Sequence, residues 1–204
     1  MQLPIAPDSV NGFLSSEEGA CLFRYALDRA PLGPCLEIGS YCGKSTLYLG
    51  TACKQVGGVL FAVDHHTGSE ENQPGWPYHD ESLWNPETQR LDTLPDFRRT
   101  LWRAGLDDSV IPVIGNSAQV ARHWLTPLSL IFVDGGHTTE HAMNDYRGWT
   151  PKLMPGGLLA IHDVFPNPED GGRPPFEIYE LALASGLFES VEAVASLRVL
   201  RKVA

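Results

Sequence analysis

Five short apolar runs, most of them leading into a stretch with helical spacing, constrain this chain more than any other feature. They are CLEIG (35–39), VLFAVD (59–64), VIPVIG (110–115), LSLIFVD (128–134) and GLLAIHD (157–163). The intervening spacing predicts helices over 44–53, 96–104, 117–124, 137–149 and 176–185. Near-continuous apolar strands alternating with helices mean a mostly parallel α/β sheet covered on both faces. The tail FESVEAVASLRVLRK alternates apolar and polar residues and reads as a hairpin. It brings the strands to seven and predicts one antiparallel edge strand near the C-terminus. Upstream, Ser15 and Glu18 have capping-box spacing and open an amphipathic helix that Pro31, Gly33 and Pro34 end.

A chain of 204 residues suits one domain, 1–204, with 1–33 as a helical extension and 65–95 as a long loop. The net charge of -10 repels phosphate backbones and argues against a nucleic-acid partner. A small neutral or cationic molecule suits it better. No apolar run reaches the ~20 residues that span a bilayer, so no membrane partner is expected. The N-terminus shows no basic stretch followed by an apolar core, and a cytoplasmic location follows as the expectation. Cys21, Cys35, Cys42 and Cys53 form no CxxC pair and read as reduced packing residues.

The segment LEIGSYCGKS runs strand, turn, helix, with Gly39 allowing a sharp turn and Gly43 a close approach to the helix start. It falls short of a P-loop, because only Ser40, Tyr41 and Cys42 separate Gly39 from Gly43-Lys44 where four residues are needed. It also lacks one glycine of the dinucleotide fingerprint, although Asp64 follows at the end of the second strand. A tight turn with no ligand is a further reading, but the carboxylate of Glu37 inside a strand would then be costly.

With FAVDHH following, LEIGSYCGKS resembles the class I methyltransferases that use S-adenosylmethionine (SAM), over about residues 34–203. The resemblance implies a Rossmann-like fold. It also implies a cofactor set of Glu37, Gly39, Ser40, Gly43, Ser45, Asp64, His65, Asn116, Ser117 and Asp134. In it, Glu37, Gly39, Ser40 and Ser45 line the methionine end, Asp64 holds the ribose hydroxyls, and Gly115-Asn116-Ser117 lies near the adenine. A carboxylate at a strand end can accept two vicinal hydroxyls, and the cationic sulfonium and ammonium suit acidic surroundings. Asn116 is equally readable as a helix cap.

LIFVDGGH and LLAIHD resemble the metal-dependent O-methyltransferases of the macrolide-sugar and cephalosporin type. That likeness implies Mg2+ held by Asp134 and Asp163 at neighbouring strand ends, ~4.8 Å apart. His162 is the candidate third ligand, although alternation with Asp163 also allows it to point into the core. Asp134 and His137 are the candidate catalytic residues, because His137 in D-x-x-H stands where it could take the acceptor proton. Without a metal, Asp134 caps a helix, Asp163 turns a loop and His137 is a first-turn residue. Members of this type are often homodimers.

The stretch 65–95 is long for a loop without structure of its own, which suggests a lid or binding loop. Glu70, Glu71, Trp76 and Tyr78, with His141 from the following helix, make a candidate acceptor site. Aromatic faces among carboxylates suit a sugar. The run DHHTGSEENQPGW is similar to O-methyltransferases that act on methylated mannosides, which implies a small-molecule or oligosaccharide acceptor. Catechols and natural products stay open as acceptors, and the loop could instead serve an oligomer contact or fold on its own aromatic residues.

Overall fold

The computed structural model describes residues 1–136 and 138–203. Strands β1 (Cys35–Ile38), β2 (Leu60–Asp64), β5 (Val110–Ile114), β6 (Leu128–Val133), β7 (Leu153–Ile161), β8 (Phe188–Val194) and β9 (Leu197–Lys202) form one sheet. A small ladder in the long loop adds β3 (Trp84–Asn85) and β4 (Arg90–Leu91). The helices are α1 (Ser16–Arg29), α2 (Lys44–Gln55), α3 (Leu94–Ala104), α4 (Ser117–His123), α5 (Thr139–Trp149) and α6 (Pro174–Ala184). Helices α3 and α6 start earlier than the apolar spacing predicts, because Pro95 and Pro174-Pro175 occupy first-turn positions that need no N–H.

Strand order is β5-β2-β1-β6-β7-β9-β8, a Rossmann-like α/β sheet. All neighbours from β5 to β7 pair in parallel. Strand β9 pairs antiparallel with both β7 and β8, so it is the antiparallel strand and lies inside the sheet. The expectation that it forms the edge is therefore corrected. A two-residue turn at 195–196 sends β9 back beside β7, where Leu197, Val199 and Leu200 are buried, and leaves the charged β8 outside.

Side-chain alternation builds two cores from one sheet. Cys35, Leu130 and Phe132 pack with residues of α1, α2 and α3 on one face. Leu36, Ile38, Ile131 and Val133 pack with α4, α5 and α6 on the other. The chain reverses its direction of growth between β1 and β6, which opens a crevice at their carboxyl ends. Hydrogen bonds beyond the strands keep those ends level: Gly39 N–H donates to Val63, Asp134 N–H to Ile38 and His162 N–H to Val133.

The long loop is not structureless. It contains 3-10 turns at Glu70–Asn72 and Glu81–Leu83 and the β3–β4 ladder. Leu83 and Leu91 sink into the core under α2 and α3, with Trp84 packed beside them. All four cysteines are buried and none is in a disulfide. No helix among the described residues is long and apolar enough to cross a membrane.

Candidate active site

A cleft of about 570 Å³ opens at the carboxyl ends of β1, β2, β6 and β7, within the size range of cofactor and ligand pockets. Gly39, Ser40, Ser45, Asp64, His65, Asn116, Ser117 and Asp134 of the expected cofactor set all line it. Glu37 and Gly43 are not among its lining residues.

Gly39 has φ +84, and a Cβ there would meet the Asp134 carbonyl oxygen at 2.1 Å, so the β1 turn and the β6 end touch backbone to backbone. Gly43 has φ +94 and caps α2; a Cβ would press on Thr100 and Phe97 of α3. Its glycine thus serves helix packing, where the sequence suggested ligand approach.

Asp64 staples the turn. Its Oδ2 accepts the N–H groups of Ser40 (2.9 Å) and Tyr41 (2.8 Å), and its Oδ1 accepts that of His66 (2.7 Å). Tyr41 and His66 both have left-handed backbones, which these bonds hold in place.

Glu37 is fully buried. Thr46 donates to its Oε2 at 2.5 Å, while Oε1 has no hydrogen bond of good geometry. Burial pushes its carboxyl up to about 8; the Ser45 and Thr46 hydroxyls ease this in part, and the nearby Asp134 and Asp64 charges add to it. A buried carboxyl with a spare acceptor, under a cleft rich in carboxylates, fits the cationic ends of SAM.

Where the resemblance implies adenine, the polar side chains are already engaged. Asn116 caps α4 through Gln119 N–H. Ser117 donates to Asp145 (2.5 Å) and accepts from the Trp149 indole (2.8 Å). Burial pushes the Asp145 carboxyl up to about 6 despite Ser117 and His141. Asp145 is a site residue that sequence reasoning missed, hidden in an ordinary amphipathic helix.

Asp134, His162 and Asp163 offer ligand atoms within 4.8 Å of one another. His162 Nδ1 lies 2.9 Å from Asp134 Oδ1 and 3.4 Å from Asp163 Oδ2. Its Nε2 lies 3.3 Å from Glu18 Oε2. The ring is buried, yet it points its nitrogens at carboxylates. Burial pulls its pKa down, but Asp134, Asp163 and Glu18 hold it well above the usual imidazole range. Asp163 has φ +56, a left-handed conformation that aspartate tolerates better than most residues. Two carboxylates and an imidazole suit a divalent cation, which would displace the ring proton on binding.

Of the expected acceptor residues, Glu70, Glu71, Tyr78 and His141 line the cleft. Trp76 is half exposed and stands outside that lining. His137 lies outside the described residues. The cleft also takes in Asn11, Gly12, Phe13 and Leu14, which the sequence did not single out. Phe13 meets Tyr78 edge-on at 5.2 Å, and Asn11 donates to Asp80 at 3.2 Å, so the N-terminal segment and the loop close one wall together.

A family model described as "Methyltransferase domain" matches residues 36–164. Among solved structures, the O-methyltransferase NovP superposes with a TM-score of 0.70 at 14% identity, covering 92% of this chain and 80% of that one. TomG from Streptomyces achromogenes, an O-methyltransferase involved in tomaymycin synthesis and solved with SAM, gives 0.65 at 16% identity over 94% and 82%. The O-methyltransferase from Bacillus cereus, solved with SAH, gives 0.63 at 16% identity over 96% and 86%. These structures share the fold. The family match spans more than half of the chain, which therefore belongs to the methyltransferase-domain family.

Proposed function

We propose that this protein is a magnesium-assisted O-methyltransferase acting on a hydroxyl of a small sugar acceptor, a mannoside or methylated mannoside. The observation that carries the reading is the Asp134–His162–Asp163 cluster in the same cleft as the Gly39 turn. Support for oxygen as the acceptor atom comes from the neighbours above, which are named as O-methyltransferases. The sugar reading rests on the carboxylates and Tyr78 along the loop wall and on the loop's likeness to the mycobacterial 1-O-methyltransferase of methylmannose polysaccharide assembly.

In this reading Asp134, Asp163 and His162 hold the ion, and a bound divalent cation supplies a lowered hydroxyl pKa and a fixed orientation. Glu37 and Ser45 face the methionine end of the cofactor, and the Asp64-stapled turn faces its ribose. Glu70, Glu71 and Tyr78 orient the acceptor, with Phe13 packed against Tyr78 along the same wall. His137, three residues beyond Asp134 in the sequence, takes the acceptor proton; His141, which lines the cleft, is the second candidate.

The test is methyl transfer from SAM to a panel of mannosides, catechols and natural-product phenols, with magnesium and with excess chelator. Turnover of mannosides that stops on chelation and returns with magnesium is the expected result. Asp163→Ala should abolish it while SAM affinity stays. Full turnover in chelator would remove the ion, and preference for a catechol would replace the sugar.

A further inference from the structure

Glu18 belongs to the N-terminal helix, far in sequence from the cleft, yet its side chain is 3% exposed. As a capping-box residue it accepts from Ser15 N–H (3.1 Å) and Ser15 hydroxyl (2.8 Å) at Oε2. A cap does not require burial. Two further connections go beyond the helix. Oε1 accepts the N–H (3.0 Å) and hydroxyl (2.8 Å) of Ser196 at the β8–β9 turn. Oε2 faces His162 Nε2 at 3.3 Å. The Ser196 carbonyl in turn accepts Val164 N–H at 2.9 Å. Glu18 therefore braces the 162–164 segment from both sides of Asp163, through the imidazole and through the hairpin.

An imidazole can offer a lone pair on one nitrogen only if the proton sits on the other, and a carboxylate facing the far nitrogen fixes both tautomer and ring angle. Here the far nitrogen is Nε2, its carboxylate is Glu18, and the near nitrogen Nδ1 faces Asp134 and Asp163. We propose that Glu18 is a positioning residue for the cation site: it holds the Nε2 proton of His162 and so presents Nδ1 as the nitrogen ligand beside Asp134 and Asp163. This rests on the reading of a divalent cation at that cluster.

The experiment uses Mn2+ alone as the probe, on the whole chain, with binding by calorimetry and ligand nitrogen by electron spin echo modulation. Wild type should bind one ion with a directly coupled nitrogen. Glu18→Gln keeps the capping box, since glutamine serves at that position, but removes the charge. It should weaken Mn2+ binding about 10–100-fold, lose or diminish the nitrogen coupling, and leave SAM affinity unchanged. Unchanged binding and coupling in Glu18→Gln would overturn the proposal while the cation reading stands. Wild type that binds Mn2+ without nitrogen coupling would also overturn it, because His162 would not be a ligand. No Mn2+ binding by wild type would remove the cation reading itself, and the proposal with it. If Glu18→Gln does not fold, Glu18→Asp, charged but one methylene shorter, should lose the coupling, and its retention overturns the proposal. Ser15→Ala breaks the cap and spares the His162 contact, so the coupling should persist; its loss would assign the effect to the helix and overturn the proposal.

Discussion

One buried carboxyl next to the cleft ties stability to pH. Glu37 is raised to about 8 by burial, so the folded protein binds a proton that the unfolded chain releases near pH 4.5. The apo protein should therefore lose stability as pH rises from about 5 through 8, because over that window the unfolded state binds fewer protons. The SAM ammonium favours the ionised carboxylate, so SAM binding at pH 7 should release a proton. Calorimetry in buffers of different ionisation enthalpy checks this, and Glu37→Gln should erase both effects. Asp64 has a double duty. Asp64→Ala strands the N–H groups of Ser40, Tyr41 and His66, and should cost about 1–3 kcal/mol of stability besides weakening SAM about tenfold or more. A ribose contact alone would lower affinity and leave the denaturation midpoint in place. The two histidines separate by kinetics: His137→Ala should slow methyl transfer about 10²–10⁴-fold with little change in SAM affinity. If it does not, and His141→Ala does, the second candidate takes the role.

At the level of elements, the turns at strand ends were the legible part. Apolar strands that stop at a carboxylate, as at Asp64, Asp134 and Asp163, place those groups at one edge of a parallel sheet, and alternation fixes which face each core residue takes. The Gly39 turn illustrates the energetics. Gly39→Ala forces a methyl against the Asp134 carbonyl and should destabilise by about 2 kcal/mol or more. Gly57→Ala is the contrast, since φ is +68 but nothing lies within 4 Å; only the backbone term of ~1 kcal/mol remains. Urea midpoints of the two variants measure the difference. Less legible were contacts made across long sequence distances. Glu18 satisfies a capping box, which conceals its reach to His162. Asp145 sits on a helix face that periodicity assigns simply to burial. The loop's Trp84, Leu83 and Leu91 look like surface aromatics and spacers until the core beneath them is seen.

Across the whole molecule, the proposed function divides the cleft into a cofactor half built by adjacent strand ends and an acceptor half closed by two remote segments. Phe13 against Tyr78 joins those segments. Phe13→Ala should raise the acceptor KM several-fold and leave SAM affinity alone, a split that steady-state kinetics with each substrate varied would read. The brace behind Asp163 is the other remote junction, since Glu18 and Ser196 are separated by 178 residues. In a chain emerging from the ribosome, Glu18 precedes Asp134 and Asp163, and Ser196 follows them. The Gly39 turn and β1, β2 and β6 can therefore come together on a nascent chain while the acceptor half still lacks its back wall. Chemical competence in this way waits for the β8–β9 hairpin, because Leu197, Val199 and Leu200 fill the core beside β7 and Ser196 completes the brace behind Asp163.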